Sequence, residues 1–231
     1  MAESEIRARL DCLAERVESA AARAGRNPAE VTVVAVAKTI PVEVVEKAIE
    51  LGVKHVGENR VQEASPKFDR IGRKVTWHMV GHLQTNKVKR ALEIFDVIQS
   101  VDSVRLGGAI SDRAAATGRT ADVLLEVNTS GEATKYGFDP DELAGHVEQM
   151  CVLEGIRVRG LMTVGPLAEQ PDDARGAFVL LRRLGEKISS LGFPNVDMSV
   201  LSMGMSGDFE VAIEEGATVI RVGTAVFGER R

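Results

Sequence analysis

Eight short runs of apolar, largely β-branched residues, each followed by a stretch long enough for a helix, recur along the 231 residues. The runs are VTVVAVA (31–37), VKHVGE (53–58), VTWHMVG (75–81), DVIQSV (96–101), DVLLEVN (122–128), IRVRGLMTV (156–164), DMSVLSM (197–203) and TVIRVG (218–223). Short strands alternating with helix-length segments are the pattern of βα units around a parallel sheet. Strands that are apolar through their middles imply burial on both faces. A single closed (β/α)8 TIM barrel is therefore predicted. A doubly wound open sheet is the alternative, but no G-x-G-x-x-G follows the first run, and such sheets usually hold fewer strands at this length.

The intervening segments carry helix signals. After the first run, Pro41 stands where a first-turn proline is tolerated, Val44, Val45, Ala48 and Ile49 make an apolar stripe, and Gly52 supplies a stop. Lys87 to Phe95 follows a Thr-Asn start, and Asp172 to Leu191 opens with acids and closes before Gly192. Residues 1–25 read as an amphipathic helix ended by Gly25 and packed on the barrel. They hold no apolar run of signal-peptide or membrane-span length. No linker or composition break divides residues 1–231, so one domain is expected, with no second β domain beyond the barrel.

A net charge of −5 offers no general pull on nucleic acid or anionic membrane. Two distant cysteines, Cys12 and Cys151, make neither a disulfide framework nor a zinc site, and fit a reducing, cytoplasmic setting.

In such a barrel, chemistry belongs at the C-terminal strand ends, and phosphate is often held after strands seven and eight. After the seventh run comes SMGMSGDFEVAIEEG, where Ser206 and Gly207 precede an acidic helix start at Asp208; after the eighth, Gly223 and Thr224 stand at the strand exit. Both places offer backbone N–H groups, hydroxyls and room for close approach, which suits a phosphate dianion. Ser206-Gly207-Asp208 also reads as a plain helix cap.

Lys38 follows seven uncharged residues of the first run. Partial desolvation there favours the neutral amine that attacks a carbonyl; the other reading is a lysine that snorkels to a carboxylate. Arg221, inside the eighth run, needs an acceptor, either a ring nitrogen of a bound cofactor or a carboxylate such as Glu126. His78 and His82 have the spacing of a helical metal pair, but they lie on a strand and its turn with no Glu between them, so no metal site is expected. KVKR (87–90) and Lys135 read as solvated surface.

VAVAKTIPVEVVEKAIELGVKHVGENRVQEA, WHMVGHLQTNKVK, QSVDS, VLLEVNTSGEATKYGF, GLMTVG and LSMGMSGDFEVAIEEGATVIRVGTAVFG, in order from about residue 31 to 229, together resemble the pyridoxal 5′-phosphate (PLP) homeostasis protein family. The resemblance implies a barrel similar to the N-terminal domain of alanine racemase, with PLP as cofactor in a Schiff base on Lys38. It further implies that Ser206, Gly207, Gly223 and Thr224 hold the phosphate, that Arg221 faces the pyridine nitrogen, and that Asn59 lies at the mouth beside the cofactor. A guanidinium there disfavours ring protonation, and the one tyrosine, Tyr136, has no evident place over the cofactor. Reversible storage and delivery of PLP by a cytoplasmic monomer is thus expected, with no catalytic residue and with apo-enzymes as possible acceptors. A PLP-dependent amino-acid racemase is the rival reading.

Overall fold

The computed structural model describes residues 1–132, 135–166 and 170–229. All eight predicted runs form strands: β1 (Thr32–Val36), β2 (His55–Glu58), β3 (Thr76–Met79), β4 (Val97–Val101), β5 (Ala121–Glu126), β6 (Ile156–Met162), β7 (Val196–Ser202) and β8 (Val219–Val222). They pair in parallel in chain order, and β8 returns to β1 through Thr32↔Val219 to Ala35↔Val222, closing the predicted barrel.

Helices fill the intervals: α1 (Glu3–Arg23), α2 (Val42–Glu50), α3 (Val61–Ile71), α4 (Val88–Ile94), α5 (Val104–Ala115), α6 (Leu143–Met150), α7 (Arg175–Ser190), α8 (Phe209–Glu214) and α9 (Thr224–Phe227). The predicted segment 172–191 resolves into α7 and a tighter 3-10 turn at Pro171–Ala174, where the proline sits in the first turn. Ile6, Leu13, Val17, Ala20 and Ala21 of α1 share one buried face at helical spacing. That face packs on α8 and α9, and Arg16–Glu210 and Arg23–Glu214 ion pairs stitch its margin. Within the body, Trp77, Phe178 and Phe209 are fully buried, each side chain of this kind contributing roughly 1.5–3 kcal/mol of transfer free energy.

The expectation of burial on both faces fails at β7. Its first six residues are only partly buried, and Ser199 is exposed. The reason lies in the register: β8 joins β7 only at Ser202↔Val219, with Leu201 bonded to Thr218 just before it, so Val196 to Val200 have β6 on one side and no strand on the other. They extend past the base of the barrel, opposite the end that carries the site.

Candidate functional site

The C-terminal strand ends surround a cavity of about 360 Å³. Lys38, Asn59, Ser206, Gly207, Arg221, Gly223 and Thr224, all singled out in the sequence, line it together with Val36, Ile40, Val80, Val164, Met205, Phe227 and Gly228. No carboxylate stands among these described lining residues, so the cavity presents a lysine, an arginine and neutral groups, the complement of an anion.

Lys38 leaves β1 on a tight turn. The Ala37 carbonyl accepts the N–H of Ile40 at 3.0 Å, which places Thr39 at the turn's third position with φ 64°. A β-branched residue rarely adopts that conformation, and the strain is of order 1–3 kcal/mol. Two contacts oppose it. Glu63 Oε2 accepts the Thr39 N–H at 3.2 Å, and Lys67 Nζ donates to the Ala37 carbonyl at 2.6 Å. Lys67 also pairs with Glu58 at 2.5 Å, both side chains being nearly or fully buried. Burial acts first on Glu58 and raises its pKa, against the lowering effect of Lys67. Lys38 itself has no hydrogen-bond partner among the described residues, and it is half-buried at the cavity edge. The snorkelling lysine paired to a carboxylate is not what the structure shows.

Across the cavity, the helix-cap reading of Ser206 also gives way. Asp208 precedes α8 and accepts the Met205 N–H, whereas Ser206 Oγ turns to the β8 exit and accepts the N–H groups of Gly223 at 3.1 Å and Ala225 at 3.2 Å. Ser206 Oγ thus takes up both amides at the start of α9, where the two loops meet, and its own proton, with no acceptor among the described residues, is left to donate. A side chain at Gly207 would meet nothing within 4 Å, so the backbone here lies open to a ligand. At the opposite rim, a Cβ on Gly81 would stand 2.5 Å from the Asn59 carbonyl, so only glycine lets β3 leave that close to Asn59.

Arg221 forms the floor, 5% exposed. It donates to Ser202 Oγ and to the Thr163 carbonyl, each at 2.6 Å, and both acceptors are neutral. The ion pair with Glu126 considered from sequence is replaced by these bonds. Burial lowers the guanidinium pKa to about 10, with Glu126 and Asp208 opposing at longer range. Burial likewise, followed by the charge of Asp102, raises Glu126 to about 7. Elsewhere at the mouth, His82 bonds Asp102 at 2.8 Å and stacks on the exposed ring of Tyr136 at 4.1 Å. Lys135 binds the Gly165 carbonyl and Glu132. Neither Tyr136 nor Lys135 is among the cavity's lining residues.

Sequence reasoning missed Lys67 and Glu58. A signal existed for the lysine: Ala64, Lys67 and Ile71 follow helical spacing, so a charge sits on α3's buried stripe.

Residues 8–231 match the family model described as alanine racemase, N-terminal domain. A pyridoxal phosphate homeostasis protein of Aquifex aeolicus is 43% identical over 224 residues, covering 96% of this chain and 97% of that one. The structure of PipY of Synechococcus elongatus, solved with PLP bound, superposes with a TM-score of 0.81 at 36% identity, covering 93% of this chain and 99% of that one. Alanine racemase of Clostridium difficile shares the fold at 16% identity and a TM-score of 0.77, this chain spanning 56% of its length. With the same barrel and full-length likeness to relatives of that name, the chain belongs to the pyridoxal phosphate homeostasis protein family, within the alanine racemase N-terminal-domain fold.

Proposed function

We propose that this protein binds PLP through a reversible covalent linkage to Lys38 and holds it for delivery to apo-enzymes, running no catalytic cycle of its own. One observation carries the reading: an amine and a serine hydroxyl proton, each without a partner among the described residues, line one cavity, with the open backbone of Gly207 beside the serine. PLP supplies an aldehyde that condenses with a primary amine and a phosphate dianion that backbone N–H groups bind. The residues present fit both ends. Lys38 is the nucleophile, and the Ser206 hydroxyl, with Gly207, Gly223 and Thr224 beside it in the lining, receives the dianion. Arg221, a donor with no proton-accepting capacity, orients the ring and leaves its nitrogen unprotonated.

Carbanion chemistry on PLP draws on a protonated ring secured by an acid, and the described lining of this cavity offers no carboxylate for that task. Tyr136, stacked on His82, does not reach into the cavity's lining. Relatives named for homeostasis rather than for an activity support storage over racemisation. A monomer in a reducing, cytoplasmic setting belongs to the same reading, and the unpaired Cys12 and Cys151 agree with the reducing part of it.

Borohydride reduction of protein mixed with PLP, followed by peptide mass mapping, tests the proposal. The reduced adduct is expected on Lys38, and the visible absorbance is expected to vanish in Lys38→Ala. A colourless wild type, or an adduct elsewhere, overturns it.

A further inference from the structure

Behind Arg221, four polar side chains run through the barrel interior. Arg221 Nη1 donates to Ser202 Oγ at 2.6 Å, Ser202 Oγ donates to Gln99 Oε1 at 2.7 Å, Gln99 Nε2 meets His78 Nδ1 at 2.9 Å, and His78 Nε2 meets His55 Nδ1 at 3.1 Å. Ser202 and Gln99 are fully buried, and Arg221 and His78 are each 5% exposed. Strands β4 and β7 are not neighbours in the barrel, so the Gln99–Ser202 bond crosses its centre. His55, at the first residue of β2, ends the chain half-buried at the base of the barrel.

The proton positions follow from donor chemistry. A guanidinium only donates, so Ser202 must accept from it, and the serine's single proton goes to its one other partner, the Gln99 oxygen. The amide's nitrogen end is then turned to His78 and donates to Nδ1. Burial lowers His78 to about 3, so its ring is neutral and carries its proton on Nε2, given to His55 Nδ1. The reversed arrangement, with the amide flipped, strands the Ser202 hydroxyl proton in a site closed to water, at the cost of an unmade buried hydrogen bond.

We propose that Ser202, Gln99, His78 and His55 form a one-way hydrogen-bond chain that fixes the orientation of Arg221 in the cavity, making Gln99 and His78 positioning residues. The chain rests on the function proposed above only for the identity of the ring that Arg221 faces. Its consequence is that the guanidinium donates into a serine oxygen whose own proton is committed to Gln99, along a chain in which each bond has one allowed direction, and this holds it away from Glu126.

Nitrogen-15-resolved imidazole spectra of the unloaded wild type test the direction without any cofactor. The expected result is His78 protonated on Nε2 and free on Nδ1 from pH 5 to 8, with His55 accepting at Nδ1. A proton on His78 Nδ1 overturns the proposal. Gln99→Glu preserves shape but replaces the donor end with an acceptor, so it is expected to draw the His78 proton to Nδ1; an unchanged tautomer overturns the chain. In Ser202→Ala, PLP affinity is expected to fall about tenfold with a shifted absorption band, while inorganic phosphate binds as in wild type. Wild-type PLP affinity and spectrum in that variant refute the positioning role. Failure of the function reading is separate, since it shows as a wild type that takes up no PLP, and the unloaded-state tautomers then decide the chain alone.

Discussion

Lys67 Nζ donates at 2.6 Å to the carbonyl of Ala37, the residue directly before Lys38. A buried ammonium from α3 thus reaches under the first strand's exit and holds the turn that presents the candidate nucleophile. Its counter-ion, Glu58, ends the next strand and is fully buried, with Oε2 lacking a hydrogen-bond partner among the described residues.

Removing the lysine alone should therefore be costly. Lys67→Met leaves Glu58 an uncompensated buried acid and frees the Ala37 carbonyl, for an expected loss of about 3–5 kcal/mol. Urea unfolding measures it. The double variant Lys67→Met with Glu58→Leu removes both charges and is expected to recover most of that stability, yet not the geometry at Thr39. Its reaction with PLP should stay slower than wild type. Equal loss in the single and double variants would show that the ion pair, rather than the unpaired acid, carries the effect.

At the opposite side of the cavity, Ser206→Ala deletes the hydroxyl on which two amides converge. A hydrogen bond to a charged group is worth about 1.5–3 kcal/mol, so PLP affinity should fall between about ten- and a hundredfold. Pyridoxal, which lacks the phosphate, should bind as it does to wild type. Parallel absorbance titrations with the two aldehydes give the comparison, and an equal loss for both would place Ser206 outside the phosphate site.

The fold and the rim of the site were legible because their signals are local. Each strand carries its own apolar run, and Lys38, Arg221 and the Ser206 and Gly223 loops stand out against immediate neighbours. The support behind them is not local. Ser202 finds Gln99 across 103 positions and Lys67 finds Ala37 across 30, and nothing near either residue announces its partner. A serine ending a strand and a glutamine inside one are ordinary until barrel closure brings them together. The partial exposure of β7 was hidden for the same reason, since it depends on where β8 begins rather than on β7's own residues.

The N-terminal helix offers a separate test. Arg16 makes two parallel bonds to Glu210, 3.0 and 2.9 Å, and its guanidinium lies 4.5 Å from the Phe209 ring centroid. The pair is partly solvent-exposed, so screening limits its worth, and Arg16→Ala is expected to cost about 1 kcal/mol, or roughly 2–4 °C in Tm. Arg16→Lys should recover less than half, because an ammonium gives neither the fork nor the planar stacking. Full recovery by lysine in thermal melts would reduce the contact to simple charge attraction.

The pH dependence of stability should carry the mark of Glu126. Burial, then the charge of Asp102, raises its pKa to about 7, against an ordinary value of 4.5. Below pH about 4.5 the carboxyl is protonated in both folded and unfolded chains, and its contribution to stability is fully present. Between about 4.5 and 7 the unfolded chain releases the proton while the folded chain keeps it, so stability declines as pH rises, by about 3 kcal/mol at most. His78, depressed by burial to about 3, works in the other direction, its contribution being lost as pH falls below about 6.5. The two trends overlap in wild type and partly cancel. Glu126→Gln keeps the side chain's shape without its titration, so the wild-type minus variant difference in unfolding free energy, measured from pH 4 to 8, isolates the carboxyl. That difference should fall steadily across the window and level off above about 7, whereas a flat difference would mean that Glu126 ionises as freely in the barrel as in water.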